Sequence, residues 1–121
     1  MKESILKAKS YKFALRIIKL SKFLNIHNKE YILSKQIIRS GTAVGALIRE
    51  AEFGQSKLDF ISKMSISLKE ANETEYWLNL LKDSDYLTIE NFESIDSDCL
   101  ELIRLLVSTI KTAKLNLIKT K

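Results

Sequence analysis

Phe92-Glu93-Ser94-Ile95-Asp96-Ser97-Asp98-Cys99-Leu100-Glu101-Leu102-Ile103-Arg104-Leu105-Leu106-Val107-Ser108-Thr109-Ile110 decides the fold class, because its apolar residues return every three or four positions. At about 100° per residue, Phe92, Ile95, Cys99, Leu102, Ile103, Leu106 and Ile110, continued by Ala113 and Leu117, share an arc of roughly 100°. That is the buried face of one long helix. Cys99 lies within it and reads as a small buried side chain, not a reactive thiol. The most apolar run, Leu100 to Ile110, is broken by Glu101 and Arg104 and is far shorter than the ~20 residues of a membrane span, so no bilayer crossing is expected.

Working outward, the same periodicity predicts helices over roughly 4–24, 29–53, 57–83 and 89–119 of a single domain, residues 1–121. The 121 residues contain no proline and only three glycines, too little turn chemistry for a many-stranded sheet. Polar breaks separate the helices at Asn25-Ile26-His27-Asn28, Gly54-Gln55-Ser56 and Ser84-Asp85-Tyr86-Leu87-Thr88. Asn28 can N-cap the second helix, Gly54 suits a left-handed position ending it, Ser56 with Asp59 forms a capping box, and Thr88 can cap the fourth. Such short connections make consecutive helices antiparallel neighbours, so the expected fold is all-α: an antiparallel up-down-up-down four-helix bundle.

The second helix buries Leu33, Ile37, Gly41, Val44, Ile48 and Ala51, with Gly41 and Gly45 one turn apart where a neighbouring backbone comes close. The third buries Phe60, Ile61, Met64, Leu68, Ala71 and Leu78, and the same geometry places Glu75 in mid-stripe, where a carboxylate needs a partner. The first spreads apolar residues over about 180°, with Leu6, Phe13, Ile17, Leu20 and Leu24 on one side and Tyr11, Ala14 and Ile18 on the other. That is wider than one seam. Together with flanks that mix aromatic, small and charged residues, it predicts a homo-oligomer whose interface draws on Tyr11, Ile18, Arg39, Glu50, Lys63, Glu70, Trp77 and Leu81. In the alternative, Trp77 merely covers a bundle edge.

Charge is polarised. Residues 1–25 carry seven Lys/Arg against one acid, residues 83–101 seven acids and no base, and residues 102–121 five bases and no acid, within a net +5. The topology brings Lys2, Lys7, Lys9 and Lys12 to the same end as Lys111, Lys114, Lys119 and Lys121, and collects Asp83, Asp85, Glu90, Glu93, Asp96 and Asp98 at the other. Lys2, Lys9, Lys12, Arg16 and Lys19 also form a stripe beside the apolar face of the first helix, the clustering that phosphate neutralisation needs. The same stripe can instead be a solvated helix face.

One histidine and one cysteine leave no nucleophilic triad or histidine-rich metal set, so neither catalysis, cofactor nor metal is expected. The lone cysteine and a lysine-studded start lead us to expect a cytoplasmic protein.

From Leu33 onward, Leu33-Ser34-Lys35-Gln36-Ile37-Ile38-Arg39-Ser40-Gly41-Thr42-Ala43-Val44-Gly45-Ala46-Leu47-Ile48-Arg49-Glu50-Ala51, then Ser56-Lys57-Leu58-Asp59-Phe60-Ile61-Ser62-Lys63-Met64 and Lys69-Glu70-Ala71-Asn72-Glu73-Thr74-Glu75-Tyr76-Trp77-Leu78, the chain resembles a known family. These are the small bacterial four-helix bundle proteins named after the intervening sequences of 23S ribosomal RNA genes, relatives of the accessory variability determinant of diversity-generating retroelements. The resemblance implies a homopentameric, barrel-like ring with a basic surface, and a connection to nucleic acid, with a reverse transcriptase or ribosomal component as the candidate protein partner. The sequence expectation is therefore a non-enzymatic nucleic-acid-binding accessory protein that uses Lys2, Lys9, Lys12, Arg16, Lys19, Lys111, Lys114, Lys119 and Lys121. The alternative is an oligomeric protein-interaction scaffold that does not bind nucleic acid.

Overall fold

The computed structural model describes residues 2–119, with side chains from residue 5 onward. They form four helices, α1 (Lys2–Asn28), α2 (Leu33–Glu52), α3 (Lys57–Asp83) and α4 (Ile89–Lys119). Each helix packs on the next and α4 closes against α1, the ring of contacts of an up-down-up-down bundle.

The stripe of α4 does what its spacing predicts: Phe92, Ile95, Cys99, Leu102, Leu106 and Ile110 are buried, while Ile103, Ala113 and Leu117 pack against their edge. They meet Leu6, Phe13, Ile17 and Leu24 of α1, Ile37, Val44 and Ile48 of α2, and Met64, Ala71 and Leu78 of α3 in one continuous core. The two helical glycines mark the α1–α2 crossing. A Cβ on Gly41 would stand 2.8 Å from Ile17 Cγ1, and one on Gly45 3.2 Å from Ser10 Oγ, so the backbones approach where side chains are missing.

The α2–α3 crossing uses small hydroxyl residues instead. Ser67 Oγ donates to Val44 O at 2.8 Å and Thr74 Oγ1 to Ser40 Oγ at 2.9 Å, all buried. Because each hydroxyl satisfies its hydrogen bond locally, α3 turns this polar-looking seam inward. Leu81 follows it into the core at 0% exposure. The sequence reading of Leu81 as an oligomer-interface residue is therefore corrected: it offers no surface.

Two helix boundaries differ from expectation. The predicted break at residues 25–28 is the last turn of α1, and the connection to α2 is Lys29–Ile32, with Lys29 left-handed at φ 52°. Glu30, not Asn28, caps α2: its carboxylate accepts the backbone N–H groups of Ile32 and Leu33 at 3.1 Å and of Ser34 at 2.8 Å. One ion thereby satisfies three of the donors a helix start leaves open, which a search for Asn, Ser or Thr at the cap position overlooks. Gly54 is not left-handed either; it sits where a Cβ would lie 3.1 Å from both Ala51 O and Asp59 Oδ2.

The other two caps form as expected. Asp59 N–H donates to Ser56 Oγ at 3.0 Å and Asn91 N–H to Thr88 Oγ1 at 3.1 Å. The Asp59 carboxylate reaches back to the N–H of Gln55 at 3.2 Å.

Candidate nucleic-acid interface

The antiparallel pairing of α1 and α4 sorts the basic stripe into two kinds of cation. Lys9 Nζ lies 3.2 Å from Glu101 of α4. Two turns farther along, the Arg16 guanidinium donates to Asp98 Oδ2 at 2.7 Å, to Ser94 O at 3.1 Å and to Ser94 Oγ at 2.9 Å. These two cations fasten the helices together. Lys12 and Lys19 are exposed and make no ion pair or hydrogen bond among the described residues. The same is true of Lys111, Lys114 and Lys119 on α4. The Lys2 side chain and Lys121 lie outside the described residues.

The acidic end is also divided. Asp83, Asp85, Glu90 and Glu93 are exposed, whereas Asp98 is committed to Arg16 and Asp96 is buried.

The residues expected at an oligomer interface form pairs within the chain. Across the α2–α3 seam, Arg39 bonds Glu70 at 3.2 Å and also bonds Glu73, whose carboxylate accepts the indole N–H of Trp77 at 3.1 Å. The Trp77 hydrogen bond leads the effects that hold Glu73 below the usual carboxylate range, and the bond to Glu73 raises the Arg39 guanidinium further. Lys63 bonds Glu50 at 3.2 Å. Trp77 packs against the core, Ile18 is half-buried, and Tyr11 is exposed beneath the Arg49 guanidinium, 5.6 Å from its ring centre.

The family described as 23S rRNA-intervening sequence protein matches residues 2–108. The chain belongs to this family. A crystal structure described as a protein of unknown function from the S23 ribosomal protein family of Bacteroides thetaiotaomicron superposes with a TM-score of 0.91 at 57% identity, covering 92% of this chain and 99% of that one. No curated protein matches the sequence.

Glu75, half-buried on α3, meets its neighbour from α4. Asp96 is 8% exposed, its Oδ1 finds no donor among the described residues, and its carboxyl group faces that of Glu75. Two acceptors join only through a proton. Burial, then the hydrogen bond and charge of Glu75, push Asp96 up to about 7 against the opposing pull of Lys82. Glu75 is held from its own helix by the amide of Asn79 at 2.7 Å. Sequence reading placed Asp96 in the solvated rim; its neighbours on the wheel, Phe92, Cys99 and Ile103, are the signal that could have turned it inward.

Burial likewise pushes the Cys99 thiol up to about 12, and it donates to Ala71 O at 3.4 Å. This is a structural thiol. Among the described residues no group of three or more His, Cys, Asp or Glu side chains is placed to hold a metal ion, and no helix is long and apolar enough to cross a membrane.

Proposed function

We propose that this chain is a non-enzymatic, homo-oligomeric accessory protein that binds nucleic acid through phosphate contacts. One observation carries the reading: Lys12 and Lys19 of α1 and Lys111, Lys114 and Lys119 of α4 remain in solvent without intramolecular partners among the described residues, although acids are abundant in the same chain. Cations left unpaired on adjacent helices are an electrostatic footprint for phosphate. Lys9 and Arg16 support the surface by fixing α1 on α4.

The family name favours RNA as the ligand; a reverse transcriptase or ribosomal component as a protein partner, and the cytoplasm as the setting, belong to the same proposal. Assembly into a pentameric ring is part of the same reading. Tyr11, Leu15 and Ile26 on the outside of α1, and Leu100, Val107 and Ile118 on α4, are apolar and exposed, surface that oligomerisation covers. A closed ring repeats each lysine set around its axis and concentrates the field. The exposed acids Asp83, Asp85, Glu90 and Glu93 favour the second reading, a scaffold that recruits a basic protein.

The test is binding of nuclease-treated protein to a structured RNA and a DNA duplex by fluorescence anisotropy at ~50 and ~200 mM salt. Five phosphate contacts per protomer predict a loss of roughly several hundredfold on duplex DNA over that range. Absence of binding at low salt refutes the proposal and promotes the scaffold.

A further inference from the structure

The basic stripe of α1 borders an open groove of about 530 Å³ between α1, the α3–α4 turn and the beginning of α4. Its volume is within the range of small-ligand sites. Ile95 is buried at the groove, Tyr86 is half-buried there, and Phe23 is 49% exposed at its edge. The core face of α1 is filled by Phe13, Ile17 and Leu24, so packing within the chain does not account for a second, half-exposed phenyl ring. That ring lies against His27 one turn on, with centroids 4.6 Å apart and planes at 33°, a contact that holds it in place on one side.

Charge and polarity complete the description. Lys19, one turn before Phe23, lines the groove with its ammonium unpaired among the described residues, and Arg16 lines it one turn earlier with its guanidinium held by Asp98 and Ser94. From α4, the Asn91 side-chain amide makes no hydrogen bond among the described residues, while its backbone N–H serves the Thr88 cap. An aromatic face, an adjacent free cation and an uncommitted amide are the three elements that hold an unpaired nucleotide: stacking, phosphate neutralisation and a hydrogen bond to a base edge. A purely apolar peptide would leave Lys19 and Asn91 unused. A duplex hides its base faces and cannot use Phe23.

We infer that this groove is a nucleobase site, in which one unpaired nucleotide of a single strand stacks on Phe23 with its phosphate against Lys19. The inference rests on the proposed nucleic-acid binding and adds to it a preference for unpaired segments at a named place.

The experiment compares a fluorescein-labelled oligouridylate of about 12 nucleotides with an RNA duplex of equal length, using the full chain and its Phe23→Ala, Phe23→Tyr and Lys19→Glu variants at ~50 mM salt. Phe23→Ala is expected to weaken single-strand binding roughly 5- to 100-fold, the effect of one lost stack, and to leave duplex binding unchanged. Phe23→Tyr keeps the wild-type affinity, and Lys19→Glu weakens both ligands. Circular dichroism and sedimentation of Phe23→Ala report its fold and native mass. Equal oligouridylate affinity of wild type and Phe23→Ala overturns the nucleobase site and leaves phosphate binding standing. Failure of both ligands to bind wild type overturns the two together. A lower native mass of Phe23→Ala assigns the groove to a second copy of the chain and also overturns the inference.

Discussion

Replacing Asp96 by asparagine should make the bundle more stable, by a margin that widens as pH rises. Asp96 has a folded pKa of about 7 against an ordinary 3.8, because it is buried and faces Glu75. A group whose folded pKa is raised contributes stability that is fully present below its unfolded pKa and lost as pH rises through the folded one. The wild-type protein must therefore either keep a proton on Asp96 or bury a second negative charge beside Glu75. Linkage over this pKa interval gives a penalty of roughly 2 kcal/mol at pH 5 and roughly 4 kcal/mol at pH 8.

The asparagine variant escapes the titration, and its amide can donate to the Glu75 carboxylate as the protonated acid does. The difference in unfolding free energy between D96N and wild type should grow by roughly 2 kcal/mol from pH 5 to pH 8. Urea unfolding at fixed protein concentration, followed by circular dichroism at pH 5, 6, 7 and 8, measures it. A margin independent of pH, or a wild type more stable than D96N at pH 8, refutes the shared proton.

Three further substitutions test other parts of the structure. Gly41→Ala puts a Cβ 2.8 Å from Ile17 Cγ1, closer than real contacts, so Ile17 must move; thermal and urea unfolding should show a loss of about 1–3 kcal/mol despite alanine's better helix propensity. Glu30→Ala strips the acceptor from three backbone N–H groups at the start of α2, with an expected cost of about 1–2 kcal/mol and faster amide exchange at Leu33 and Ser34. Arg16→Glu sets like charges together at Asp98 and should lower the unfolding midpoint, whereas Lys12→Glu, which breaks no bond among the described residues, should leave the midpoint in place and weaken nucleic-acid binding. Equal effects of Arg16→Glu and Lys12→Glu on stability would refute the division of the stripe into fastening and solvent-facing cations.

Sequence alone was enough for what depends on local period and turn chemistry. The α4 stripe and the Ser56 and Thr88 caps are determined within a few residues, because helical repeat and capping act at that range; the glycines at 41 and 45 marked a close approach, though not the helix that makes it. The family was equally legible, from the run that begins at Leu33. The composition of the basic stripe was visible too, but which of its cations are free was not. That depends on what α4 presents opposite α1, and Asp98, Ser94 and Glu101 are 78 to 92 residues away along the chain.

The remaining features were decided by tertiary structure for a single physical reason: a polar side chain reads as solvent-facing until its partner is known. Ser67 and Thr74 are hydrophilic by composition, yet Val44 O and Ser40 Oγ satisfy them, so the α2–α3 seam is buried and Leu81 belongs to the core. Glu30 reads as a loop acid until three N–H groups converge on it. Asp96 reads as part of an acidic rim until Glu75 stands across from it in the α3–α4 contact. Hydrophobic period sets which helices form, and the pairing of polar groups across helices sets how each is turned.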